Sequence, residues 1–269
     1  MIGIRSAVGI AGCALSCLLV PSAKADAIDA MQAVLSNAET SPLPPGWTAG
    51  GAAYTGPSNY SAGETTKALF PGAIYLGSEL MYLGDRAYYT FARQGPWSFY
   101  GRLRVRLGNL DPEDSVEWTG MTERKWQLEA GLGAILVSPV GLWTARFSSD
   151  ISGRSKGSEV LFNWSAPLPL SDRWLLVPGA GVFWRSSKLA NYYFGGVSPG
   201  EAAPGRPAYD VGSTWSFAPA LVSTYRLSQD WFAGAVLSYE RFPDAVRDSP
   251  LVDRKSRYDV VLGLGYVFR

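Results

Sequence analysis

Tyr258-Asp-Val-Val-Leu-Gly-Leu-Gly-Tyr-Val-Phe-Arg269 closes the chain, and its residues alternate in character. Tyr258, Val260, Leu262, Leu264, Tyr266 and Phe268 take every second position, with Asp259, Gly263, Gly265 and Arg269 on the alternate set. Successive side chains of a strand point to opposite faces, so this stretch has one continuous apolar face with aromatics at both ends. A lipid-facing strand of a transmembrane barrel has such a face. So does a half-buried last strand of a soluble β-sandwich, and the preceding residues decide between the two.

Twelve candidate strands are read from Trp47 onward. They are 47–54, 69–76, 79–83, 87–93, 97–107, 126–137, 142–148, 159–166, 174–185, 215–227, 231–240 and 258–268. Very short connections, such as Gln94-Gly95-Pro96 and Ser228 to Asp230, alternate with mostly longer polar ones, such as Asn109 to Arg124 and Lys188 to Thr214. Outer-membrane barrels combine short periplasmic turns, longer outer loops and an even strand number. The parity closes only if the short third segment, Glu79 to Leu83, is a strand. Nine of the ten tryptophans fall at strand ends, with Trp118 alone in a loop. Tryptophan favours bilayer interfaces, because its ring is apolar and its N–H needs a partner.

The segment from Trp97 to Leu107 places Ser98, Tyr100, Arg102, Arg104 and Arg106 on one face. An arginine facing the hydrocarbon midplane costs roughly 2–4 kcal/mol, so this face must point into a lumen. By the same count Glu129, Arg146, Glu159, Arg185, Arg226, Glu240 and Asp259 also point inward. The expected fold is all-β, a transmembrane antiparallel barrel of about twelve strands over residues 46–269. Two readings of the charged interior stand side by side: paired charges that rigidify a closed barrel, and an arginine-lined constriction that prefers anions.

Arg5, the apolar run from Ala7 to Val20 and Ala23-Lys24-Ala25 form a secretory signal with a small-residue cleavage site, so residues 1–25 are expected to be removed. Cys17 also permits a lipoprotein reading, but the apolar residues that follow it and the downstream cleavage site argue against one. Both cysteines lie in this segment, which leaves no thiol for a disulfide or thiolate metal site. Residues 26–45 differ from the rest. Ile28, Met31 and Leu35 have helical spacing and Thr40 to Pro45 is proline-rich, giving a short periplasmic helix or loose arm that is either a linker or a docking element.

The chain has 24 Lys+Arg, 23 Asp+Glu and no histidine. Near-zero charge offers nothing for nucleic acid. Without histidine, a Ser-His-Asp triad and the usual imidazole base are excluded. No cofactor is implied. Asp111, Glu113 and Asp114 form an acidic loop cluster, read as a solvated face in preference to a divalent-cation site.

From Asn191 to Trp215 the chain closely resembles the loop signature of the MipA/OmpV family, the MltA-interacting outer-membrane proteins. Tyr193, Phe194, Gly195, Val197, Ser198, Pro199, Ala202, Pro207, Ala208, Tyr209 and Asp210 carry the match, and Gly196 is an apparent insertion. Gly95-Pro96-Trp97 and Asp248-Ser249-Pro250-Leu251-Val252 add to the likeness. The resemblance implies a barrel in the outer membrane of a Gram-negative cell, in contact with its lipid. It also implies a scaffold that brings a lytic transglycosylase together with a peptidoglycan synthase, while other members are implicated in adhesion and small-molecule interactions. Tyr266 and Phe268 are the aromatics expected to be read by the barrel-assembly machinery, although Arg269 follows where the terminal aromatic usually stands. The proline- and glycine-rich motif loop reads as a structural lid or as a ligand site.

Overall fold

A computed structural model of the chain describes residues 32–36, 40–108 and 110–268; the expected signal segment, the first part of the arm and Arg269 lie outside them. The strands are β1 (Gly46–Gly56), β2 (Thr66–Leu76), β3 (Leu80–Leu83), β4 (Arg86–Gln94), β5 (Trp97–Arg106), β6 (Gln127–Ser138) and β7 (Gly141–Asp150). They continue with β8 (Ser158–Ser165), β9 (Leu168–Ser171), β10 (Trp174–Arg185), β11 (Thr214–Arg226), β12 (Trp231–Arg241) and β13 (Ser256–Val267). All pairings are antiparallel, and the sheet closes because β1 pairs with both β2 and β13. β8 and β9 both pair with β10 along its length, separated at Ala166-Pro167, so they share one position in a wall of twelve. Proline has no N–H to give a ladder, which accounts for the interruption. The short third strand exists, and the parity closes.

Side-chain alternation sets the two faces. On β13, Tyr258, Leu262 and Leu264 are exposed on the outside while Arg257 and Asp259 are buried inside. Exposed Trp47, Trp97, Trp143, Trp174 and Trp231 ring the short-turn end, and Trp126 and Trp215 mark the loop end. Tyr266 packs on Trp231 and Phe268, with ring centroids 5.4 and 5.1 Å apart, so the expected assembly aromatics belong to the first of these rows. Among the described residues no helix is long and apolar enough to cross a membrane.

The wall is uneven at one place. β3 is four residues long and pairs with β2 only from Ile74 to Leu76. From Thr66 to Ala73, therefore, β2 is hydrogen-bonded to β1 and has no strand on its other side. The β4–β5 ladder continues one residue past Arg86 and Arg104, the turn residue Asp85 accepting from the Val105 amide at 2.9 Å. This leaves a seam beyond the β3–β4 turn, between β2 over residues 66–73 and the outer end of β5.

Both ends of the lumen are covered. At the short-turn end, Ala33, Val34 and Leu35, in a helical turn over residues 32–35, are buried among Leu76, Tyr88, Tyr100, Ile135, Leu142 and Val222 of the wall. These residues of the arm pack inside the barrel: an apolar triplet finds an apolar lumen. At the loop end, Tyr60, Trp118, Tyr193, Phe194, Val197, Phe242 and Leu251 gather residues from four loops into a second core.

Candidate functional site

Between the two apolar covers lies a layer of charge. Arg86 makes a bidentate pair with Asp85, both contacts at 2.7 Å. Arg104 lies 3.7 Å from Asp85 and 3.7 Å from Glu129. Arg106 pairs with Glu129 and, at 3.2 Å, with Glu159. Glu159 also receives Arg146 at 2.8 Å and Arg185 at 3.3 Å. Arg185 continues to Glu240 and Ser216, and Arg257 joins Glu240 and Asp259 at 3.2 Å each. The Tyr54 hydroxyl then donates to Asp259 at 2.7 Å. Read in order, these contacts form a belt from β4 around to β1, to which β2 and β3 contribute no charged residue.

The alternation of β5, β6 and β13 is what aims these groups inward, and burial is what makes them pair. A charge taken from water without a partner costs several kcal/mol. Arg102 is buried on the same face of β5, with its guanidinium 6.0 Å from the Tyr88 ring. Arg226 differs from the other candidates. It has the inward parity but is the last residue of β11, exposed at the short-turn rim, where it donates to the Asp172 carbonyl at 2.8 Å. Parity gives a direction, not a depth. Sequence reasoning passed over Asp85, Arg86, Arg257 and Tyr54, although Arg257 could have been found two residues before Asp259 on the same face.

The motif loop forms the roof of the belt. After the cap residue Ser186, α1 (Ser187–Tyr193) buries Leu189, Ala190 and Tyr193; the helix was not foreseen from the sequence. Phe194 lies under the Arg185 guanidinium at 4.2 Å, and Tyr193 is 5.7 Å from that of Arg106. Cation–π contacts of this kind are worth roughly 0.5–2 kcal/mol. Gly195 has φ +111°, a conformation that side-chain-bearing residues rarely adopt, and its carbonyl accepts from Ser249. Val197 pairs with Tyr209, whose hydroxyl donates to the Ala245 carbonyl at 2.8 Å. Asp210 accepts from Asn191 at 2.7 Å. Ser198 and Pro199 open a 3-10 turn, while Ala202, Pro207 and Ala208 remain exposed on the outer surface.

Glu201 clamps this lid. Its carboxylate accepts from the Thr122 amide at 2.9 Å, the Ser198 amide at 2.9 Å and Arg124 at 3.0 Å, tying the motif loop to the preceding long loop. Burial opposes its charged form, but the hydrogen bonds from Arg124, Ser198 and Thr122 outweigh burial and hold its pKa down at about 2. A depressed pKa contributes stability that is present above the ordinary value and lost as pH falls through the folded one. Hydrogen-exchange protection of the Thr122 and Ser198 amides is therefore expected to hold above about pH 4.5 and to collapse toward pH 2. In Glu201→Gln protection should already be reduced at neutral pH and show no acid step; an acid step that persists would assign it to another group.

The acidic loop residues form a solvated turn in which Asp111 accepts from the Glu113 amide at 3.0 Å. Among the described residues no cluster of His, Cys, Asp and Glu is arranged to hold a metal ion.

The chain is similar in sequence to several outer-membrane proteins. Outer membrane protein Omp26La of Vibrio anguillarum is 32% identical over 160 residues, 59% of this chain and 60% of its own. Outer membrane protein OmpV of Vibrio cholerae is 31% identical over 160 residues, and the MltA-interacting protein of Escherichia coli K12 is 28% identical over 149 residues, 55% of this chain and 59% of its own. The chain thus spans about 60% of the length of these relatives. Among solved structures, the NanC porin aligns over 81% of this chain and 100% of its own with a TM-score of 0.42 at 7% identity. The protein is an outer-membrane β-barrel. The family model described as MltA-interacting protein MipA matches residues 49–268, and the chain belongs to that family.

Proposed function

We propose that this barrel is a closed, non-enzymatic anchor that recruits peptidoglycan-remodelling enzymes at its periplasmic end, and that it is not a pore. The observation that carries the reading is the stack of three obstructions along one lumen: the clamped lid, the paired belt and the buried arm. The relative from Escherichia coli is named for its interaction with MltA, and the family shares that description. The partner class proposed is a lytic transglycosylase, with a peptidoglycan synthase as second partner.

Docking would fall at the short-turn end, the periplasmic one in such barrels. There the arm divides the mouth into cavities of about 760 Å³, lined by Leu35, Leu43 and Arg93, and about 470 Å³, lined by Pro169, Arg173 and Arg226. Purified refolded barrel is expected to capture both enzymes at once from the same organism. Arg93→Glu with Arg226→Glu should weaken capture about tenfold, a loss of roughly 1.4 kcal/mol. Capture of neither enzyme by the native barrel would end the scaffold reading. In planar bilayers no steady current is expected; a persistent anion-selective current would restore the pore.

A further inference from the structure

The seam between β2 and β5 borders an apolar space. Beside it, along the inner face of β1, β2, β12 and β13, is an open chamber of about 230 Å³ whose lining is almost wholly apolar, with Leu43, Phe70, Ile74, Leu83 and Phe232 around it. Five inward-facing strand glycines complete its walls; at Gly50 and Gly265 a Cβ would collide with the neighbouring strand, but at Gly72, Gly234 and Gly263 it would not. A Cβ built at Gly72 would meet nothing within 4 Å, and at Gly234 and Gly263 nothing nearer than 3.9 and 3.8 Å. None of the three has a positive φ. Neither close packing nor backbone conformation therefore requires glycine there. Glycine weakens a strand interior, and it often marks a bulge, a tight bend of a barrel, or the close approach of a ligand or another backbone.

The seam's outer side faces hydrocarbon. Through β1, Leu69 is level with Ala53 and Leu262, and Pro71 with Gly51 and Leu264. On β13 these leucines lie between Tyr258 and Tyr266, the aromatics that bound the apolar band. Leu69 is 86% exposed, and Pro71 is a residue that sheets accept at edges. What stands at this opening in an outer-membrane protein is lipid tail. The lining excludes polar solutes, since burying an unpaired polar group there is costly. The volume falls below the roughly 300–1,000 Å³ of drug-sized pockets, which suits one chain and not a whole lipid.

We infer that the seam admits a single acyl chain of a membrane lipid, which lies in this chamber against Phe70, Phe232 and the three glycines. The arm shares the chamber through Leu43, so lipid occupancy and arm seating act on common contacts.

The test uses the full mature barrel in vesicles of phosphatidylethanolamine and phosphatidylglycerol, doped with a phospholipid bearing a diazirine near the end of one acyl chain. After irradiation, mass spectrometry is expected to find adducts on inward-facing Phe70, Ile74 or Phe232 as well as on outward-facing Leu262 and Leu264. Gly72→Leu with Gly234→Val should reduce inward labelling about tenfold relative to outward labelling. Folding is checked by heat-modifiable gel migration, and Gly234→Ala, with an inward-to-outward ratio lowered about threefold, replaces the pair if the double variant does not fold. Adducts confined to the outward residues, or an inward-to-outward ratio unchanged by filling, would overturn the assignment.

Discussion

Glu159→Ala is expected to lower the stability of the barrel by roughly 3–5 kcal/mol, the usual cost of breaking a buried ion pair from one side. Glu159 on β8 touches three arginines from three other strands, Arg106 on β5, Arg146 on β7 and Arg185 on β10. Its removal takes this ion pair from Arg146 and one carboxylate from each of the other two, leaving Arg106 with Glu129 and Arg185 with Glu240. Glu159→Gln keeps the shape and an acceptor oxygen but not the charge, so its loss should be about half as large. Urea titration of the barrel in detergent micelles, read by heat-modifiable migration, measures both. If Glu159→Ala shifted the midpoint by no more than a surface substitution does, the belt would not be a structural element.

Val34→Asp is the second large effect. Val34 is 2% exposed in the middle of the arm's contact with the lumen wall. Burying Val34 and Leu35 contributes roughly 3–6 kcal/mol at the usual 1.5–3 kcal/mol per side chain. A carboxylate among Leu76, Ile135 and Leu142 cannot be kept there, so the arm leaves. A cysteine introduced at Ser36, in a chain otherwise free of thiols after residue 17, should then react with a membrane-impermeant maleimide about a hundredfold faster, equivalent to roughly 2.7 kcal/mol of lost seating. The barrel itself should remain folded. Equal rates with and without the substitution would show that the arm is not held by this contact.

Much of this architecture was legible in the chain. The run Arg102, Arg104, Arg106 admitted only an inward face, and tryptophans at strand ends marked the two interfaces. The weak third segment was correctly a strand because the even count required it. Legibility stopped wherever position along the barrel axis or contact between distant loops mattered. Period-2 alternation gave Arg226 the same direction as Arg185, yet one is exposed at the rim and the other buried in the belt. The arm's triplet Ala33-Val34-Leu35 is too short to declare whether it will meet water or a lumen. The clamp at Glu201 draws on Thr122 and Arg124 nearly eighty residues away, a pairing that nothing local announces. α1, capped by Ser186, runs only seven residues, too few for its periodicity to stand out from the loop that follows.

The belt has a mechanical corollary. It links ten of the twelve wall positions and is interrupted at β2 and β3, where the wall itself is seamed. The cylinder is in effect a split cuff, stiffened by interlocked arginines around most of its circumference and compliant along one line. Lateral pressure from the bilayer must then be taken up as strain along that line, so the barrel changes its girth at the slit while the rest of its perimeter keeps its shape.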